Sequence, residues 1–183
     1  GDVFGRYISG ISGDYLFHSV PYYSMSEEDL ELEEFNKLGE QASQGCVRLA
    51  VSDAKWVYDN CPTGTNVSIY DDAENAGPLG KPDAIKITNF TNKWDPTDSN
   101  KKCPYAKATP TISGANDYTI KSGGEFYALA GVTAVDTCGN DITSNIEVFG
   151  NVVTTRKGKY KVTYSVTDVL KRTSSVTITV TVA

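Results

Sequence analysis

A single histidine, His18, occurs in 183 residues, so any chemistry that needs an imidazole has one place to find it. No run of about eighteen apolar residues occurs, which excludes a membrane-crossing helix from the reading. No basic stretch followed by an apolar one opens the chain, so no signal peptide is legible. Cysteine is sparse: Cys46, Cys61, Cys103 and Cys138 include no Cys-x-x-Cys pair and no Cys/His spacing suited to zinc, and neither a metal nor another cofactor is expected. Basic residues are scarce over residues 1–72, with 4 against 13 acidic ones, a balance of −9, whereas the remainder holds 13 basic and 10 acidic. Neither half has the clustered Lys/Arg face that phosphate tracking requires, so nucleic acid is not an expected partner.

What is present is enough apolar material, 39% of residues, for one large core or two small ones. Composition shifts near residue 73. Pro78, Pro82, Pro96 and Pro104 crowd the segment 73–109 and Pro110 follows it directly, so that a fixed φ and a missing donor disfavour any long regular element here. The expected domains are therefore 1–72, a Pro/Gly-rich linker over 73–109 in which "DAIKITNF" is one docked strand, and a β-rich domain over 110–183.

In this last part, short β-rich runs alternate with turn signals. "KYKVTYSV" puts Tyr160, Val162, Tyr164 and Val166 on one face and Lys161, Thr163 and Ser165 on the other, the pattern of a strand with one dry side. An all-β, immunoglobulin-like sandwich is expected. The order "YTIKSGGEF", "GVTAVDTCGNDIT", "IEVFGNVVTT" resembles the Ig-like modules appended to bacterial surface proteins and wall enzymes. Asp136, Asn140 and Asp141 in its turns could ligate calcium, although Asx residues mostly serve turns.

In the first part, "SMSEEDLELEEFNKLGE" suits a short helix with acidic residues at its positive end. "VSDAKWVYDNCPTG" predicts a second helix, with Ser52 as N-cap, Ala54, Val57 and Tyr58 on one face and Pro62 as a stop. "GTNVSIY" reads as a strand leaving it. "DYLFHSV" alternates as a strand that carries His18. Cys46 follows Gly45 in "SQGCVR". A thiol with ordinary acidity needs a base or a positive neighbour to become a nucleophile, and His18 can supply one. Gly45 permits a sharp bend whose consecutive N–H groups face a developing oxyanion. Arg48 could hold the loop through a carboxylate or backbone carbonyls.

The order "SGDYLFHSVPY…KLGEQASQGCVRLAVSDAKWVYDNCPTGTNVSIYD" resembles the catalytic domain of the YkuD-type L,D-transpeptidases: a histidine strand, a Ser-x-Gly-Cys-Val-Arg loop, an Asp-Ala helix and a Gly-Thr strand. The expected fold is mainly β, a partial YkuD-type domain with one or two short helices followed by the sandwich. The resemblance implies Cys46 as nucleophile, His18 as general base and acid, the Ser19 carbonyl as orienter of the imidazole, and the Gly45 and Cys46 N–H groups as oxyanion hole. Ser43, Gln44 and Arg48 would support the loop, with Gln44 standing where many members have a second histidine. Tyr15, Phe17, Tyr22 and Tyr23 could line a substrate groove.

The implied partners are peptidoglycan peptide stems, with carbapenems as inhibitors, at the cell wall or outside the cell, after export or anchoring through an upstream segment. A thiol hydrolase on the same site and a non-catalytic Ig-like binding module are the alternatives. Family domains place strands ahead of the histidine strand. The resemblance therefore also implies that these strands are absent, supplied by a complementing chain or replaced by a swapped copy, and leaves the activity of the piece alone open. An exported protein would use Cys61, Cys103 and Cys138 for a disulfide, Cys103 with Cys138 or Cys61 with Cys103, and keep Cys46 free.

Overall fold

In the computed structural model, residues 4–70, 72, 74, 77 and 80–183 are described. The chain divides into two units, Gly1–Lys107 and Ala108–Ala183. The first holds a three-stranded sheet in the order β1 (Ser9–Ser12), β2 (Tyr15–Ser19), β3 (Val47–Leu49), with helices α1 (Leu32–Phe35) and α2 (Val51–Asn60). β1 and β2 form an antiparallel hairpin, and β2 pairs with β3 in parallel, Phe17 opposite Val47 and His18 opposite Arg48. Parallel neighbours need a long crossover, and here it runs over the core residues Val20, Tyr22, Leu30, Leu32 and Phe35, all buried.

Helix α2 is not capped by Ser52. Its N-cap is Ala50, whose methyl group cannot accept a hydrogen bond, and the first turn is satisfied from 44 and 45 positions downstream in sequence. The Asp95 carboxylate accepts the Val51 N–H at 2.9 Å, and Thr97 Oγ1 accepts the Ser52 N–H at 3.0 Å. Asp95 is fully buried and also accepts the Thr97 N–H and hydroxyl. Burial pushes its carboxyl above the ordinary range, and the hydrogen bonds from Thr97 and Val51 oppose that shift. Tyr58, expected on the inner face of α2, is instead exposed beside Tyr7.

The segment expected as linker is thus in part structural. Ile87, Trp94, Asp95, Pro96, Cys103 and Tyr105 are buried in the first unit. "DAIKITNF" is no strand. The Asn36 side chain takes the place of a ladder neighbour, donating to the Ile87 carbonyl at 2.8 Å and accepting the Ile87 N–H at 2.7 Å. "GTNVSIY" also forms no ladder among the described residues, and Ile69 is 75% exposed. Between it, β1, Phe17 and the end of α2 lies an open groove of about 830 Å³.

The second unit is a sandwich. β4 (Thr111–Ser113) pairs with β6 (Thr133–Val135), facing a four-stranded sheet in the order β5 (Tyr118–Ile120), β9 (Thr173–Val182), β8 (Gly158–Thr167), β7 (Glu147–Phe149). Val162, Tyr164 and Val166 of β8 join Ile178 and Val180 of β9 in the core, and Tyr160 packs at its edge. The other face of the β8–β9 ladder carries hydroxyl pairs, Thr163 with Thr177 at 2.8 Å and Thr167 with Thr173 at 2.9 Å, as cross-strand pairing favours. Asp136 closes its own turn, accepting the backbone N–H groups of Cys138 and Asn140 at 2.8 Å each.

Asp95→Ala removes the acceptor for a buried helix N–H and for Thr97. Urea unfolding should show the first unit destabilised by about 1–3 kcal/mol, and an unchanged midpoint would refute the cap.

Candidate active site

The site is assembled from the β2–β3 ladder and the loop before β3. Opposed residues of a parallel pair project to the same side, so His18 and Arg48 share a face, and Cys46 stands immediately before β3, two residues ahead of Arg48. Cys46 and Arg48 line one cleft of about 270 Å³ with Glu34, Lys37 and Ser43. Cys46 also borders a second hollow with Asp14, Tyr15 and Gln44.

His18 is tightly placed. Its Nδ1 lies 2.6 Å from the Ser19 carbonyl oxygen. A carbonyl only accepts, so Nδ1 carries the proton and Nε2 is left as the basic nitrogen. The chain at Gly5 and Arg6 closes over the ring. A Cβ at Gly5 would stand 3.4 Å from Nδ1, Ser19 N–H donates to the Arg6 carbonyl at 3.0 Å, and Arg6 N–H donates to Ser19 Oγ at 2.9 Å. Arg6 itself is anchored by Asp98 at 2.6 Å and Glu27 at 3.0 Å.

The cysteine loop is stapled by Ser43. Its hydroxyl donates to the Cys46 carbonyl at 2.5 Å and accepts the Gly45 N–H at 3.2 Å. The Gly45 N–H, expected to face an oxyanion, is therefore engaged within the loop. Gly45 has a φ of +141°, and a Cβ there would come within 2.4 Å of the Tyr15 ring, so the bend and the ring that covers it both require glycine. The Cys46 Sγ is half-buried and lies 3.9 Å from the Asp14 carbonyl oxygen. No hydrogen bond joins it to His18. Arg48 pairs with Glu34 of α1, which also holds Lys37 at 2.5 Å, and these two cations, Lys37 first, keep the Glu34 carboxyl below its ordinary range. The loop is thereby tied to the crossover.

Of the aromatic residues expected in a groove, Tyr15 lies beside Cys46, 55% exposed. Tyr22 does not line a site. It is buried under the Arg6 guanidinium, 5.8 Å from the ring centre, because the crossover needs it as core. Phe17 alternates to the opposite face from His18 and borders the large groove with Val57. Tyr23 is exposed against Lys93. Asp14 and Glu34 were not anticipated; Glu34 sits in an acidic run that reads as helix-start charge, and nothing local marks Arg48 as its partner. None of Cys46, Cys61, Cys103 and Cys138 is in a disulfide. Cys103 is buried with its sulfur 3.7 Å from the Asp95 carbonyl oxygen, and burial pushes the Cys138 thiol up to about 11.

A thiol on a glycine bend beside a histidine strand is followed, in the second unit, by a β-sandwich. Residues 3–69 match the family described as L,D-transpeptidase catalytic domain, of the YkuD type, and residues 110–182 match that described as bacterial surface protein, Ig-like domain. The chain thus carries a YkuD L,D-transpeptidase catalytic-domain segment followed by a bacterial surface Ig-like domain, and the latter points to a location at the cell surface or outside the cell. YciB of Bacillus subtilis (strain 168), named as an L,D-transpeptidase, is 49% identical over 57 residues, 31% of this chain and 28% of that protein. The pesticidal crystal protein Cry22Aa of Bacillus thuringiensis is 42% identical over 66 residues, 33% of this chain and 9% of that one. The chain therefore spans only a small part of these relatives. Among solved structures, CBM51-2 in complex with GlcNAc and INT domains from Clostridium perfringens ZmpB is 29% identical, covering 40% of this chain and 16% of that one, with a TM-score of 0.37. The lipoprotein BT2262 from Bacteroides thetaiotaomicron is 25% identical, covering 40% and 37%, with a TM-score of 0.34.

Iodoacetamide on the native protein should label Cys46 and Cys61 and spare the buried Cys103 and Cys138, with all four modified after unfolding; peptide mapping that finds Cys103 or Cys138 labelled first contradicts this burial. Gly45→Ala should cost about 1–3 kcal/mol through backbone strain and displace the Tyr15 ring, seen as altered tyrosine ring resonances.

Proposed function

We propose that the protein is a peptidoglycan L,D-transpeptidase that forms cross-links through a thioester at Cys46. The observation that carries this reading is His18 opposite Arg48 in the parallel ladder, with Cys46 on the loop that leads directly into β3. The Nδ1–H of His18 is held by the Ser19 carbonyl, so Nε2 is the nitrogen that accepts the thiol proton. Rotation of the Cys46 side chain takes the sulfur off the Asp14 carbonyl and toward the imidazole. The thiolate then attacks the carbonyl between the L- and D-centres of a tetrapeptide stem. His18 returns the proton to the departing D-amino acid, and an amine of a second stem resolves the thioester with His18 again as base.

Oxyanion stabilisation falls to the Cys46 N–H and to the Gly45 N–H once it leaves Ser43; one such donor is worth roughly 3 kcal/mol. Ser43 and the Arg48–Glu34 pair keep the bend in place, Gln44 flanks the sulfur as an amide that cannot shuttle protons, and Tyr15 offers a ring to the stem. The domain division proposed with this reading gives catalysis to residues 1–72 and surface attachment to 110–183. The protein would act in the cell wall.

Incubation with a carbapenem should give an intact-mass adduct on Cys46 that vanishes in Cys46→Ala. Purified stems should yield a cross-linked dimer, with turnover lowered about 10²–10⁴-fold in His18→Ala. An adduct that survives Cys46→Ala, or near-full turnover in His18→Ala, overturns the assignment; shortened monomer without dimer would make the enzyme a carboxypeptidase.

A further inference from the structure

The sandwich carries a groove of about 310 Å³ that its packing does not account for. Its floor is core: Val132 and Tyr164 are buried, and the Tyr164 hydroxyl donates to the Ala128 carbonyl at 2.7 Å, which holds the overlying segment to the sheet. Its rim is aromatic. Tyr118 is 53% and Tyr127 68% exposed, and the Phe126 ring stands 6.1 Å from that of Tyr118, inclined at 47°. Among the described residues that line it, Glu125 carries the only charge, and its Oε2 accepts the Tyr127 hydroxyl at 2.8 Å.

Ring faces are negative and attract cations, and a carboxylate beside them adds a formal charge of the same sign. This combination is complementary to an ammonium and repels carboxylates and phosphates. A neutral sugar could stack on the rings, but it would gain nothing from the charge. The carboxylate is also oriented in advance by the Tyr127 hydroxyl, so less side-chain freedom is lost on binding.

We propose that this groove binds a primary ammonium carried on the flexible side chain of a peptide. In combination with the function proposed above, on which this last step rests, that peptide is an amine-bearing wall stem, and the Ig-like domain holds the enzyme to the polymer it modifies.

The test uses the full chain as Cys46→Ala, so that binding is read independently of catalysis. The probe is the peptide N-acetyl-Ala-Ala-Lys amide, whose only ammonium is on the side chain, titrated by NMR against its Nε-acetylated form and against chitotetraose. Saturable shifts centred on residues 114–132, with Tyr164 and Ile178 of the floor, are expected for the free side-chain amine, weakened about tenfold by its acetylation, by Glu125→Gln and by Tyr127→Ala. Both substitutions alter exposed side chains and should leave the unfolding midpoint unchanged. Equal binding of the acetylated peptide, binding of chitotetraose in its place, or no shift in this region would each overturn the proposal.

Discussion

The parallel pairing of β2 with β3 is the constraint on which the first unit turns. An antiparallel partner would have needed only a tight turn, whereas a parallel one forces the chain to leave the sheet and come back. The return path builds the site. It buries Tyr22, Leu30 and Phe35 as core, carries Glu34 to where it meets Arg48, and delivers Cys46 to the entrance of the strand that pairs with the histidine strand. One register therefore sets both the packing and the proposed chemistry. A slip of one residue would turn His18 to the Phe17 face, away from the cysteine loop.

The second determinant is a buried carboxyl group supplied from outside the matched segment. Asp95 reaches the N-terminus of α2, the helix that follows β3 directly, and Asp98 in the same stretch anchors Arg6, which holds the chain over His18. A fully buried carboxylate is costly unless hydrogen bonds satisfy it. Here three backbone or hydroxyl donors do so, which places the residues around Asp95 within the folded body of the first unit. The two ends of that unit, residues 4–6 and 94–98, thus brace the His18 strand and the start of α2.

The legible part of the fold was what strand and turn chemistry encode locally. Alternation in β8 named its buried face, and the glycine before Cys46 marked a bend whose φ of +141° no side chain adopts comfortably. Contacts over long separations were hidden. Ser52 looked like the cap of α2, but Asp95 and Thr97 perform that task from the far side of a proline-rich stretch, and no local period announces such a partner. Tyr22 resembled a groove residue because aromatic side chains in strands serve cores and ligands alike; only the crossover decided. "DAIKITNF" and "GTNVSIY" had strand composition without a neighbouring strand to pair with, and β-propensity describes a fit to a pleated surface rather than an intrinsic state.

The most direct test of the His18–Cys46 partnership reads the ring nitrogens of the single histidine by ¹⁵N NMR, before and after alkylation of Cys46. Protonated Nδ1, with an Nε2 resonance that moves when the sulfur is blocked, is the predicted result. A ring protonated at Nε2, or shifts indifferent to the state of Cys46, would contradict it.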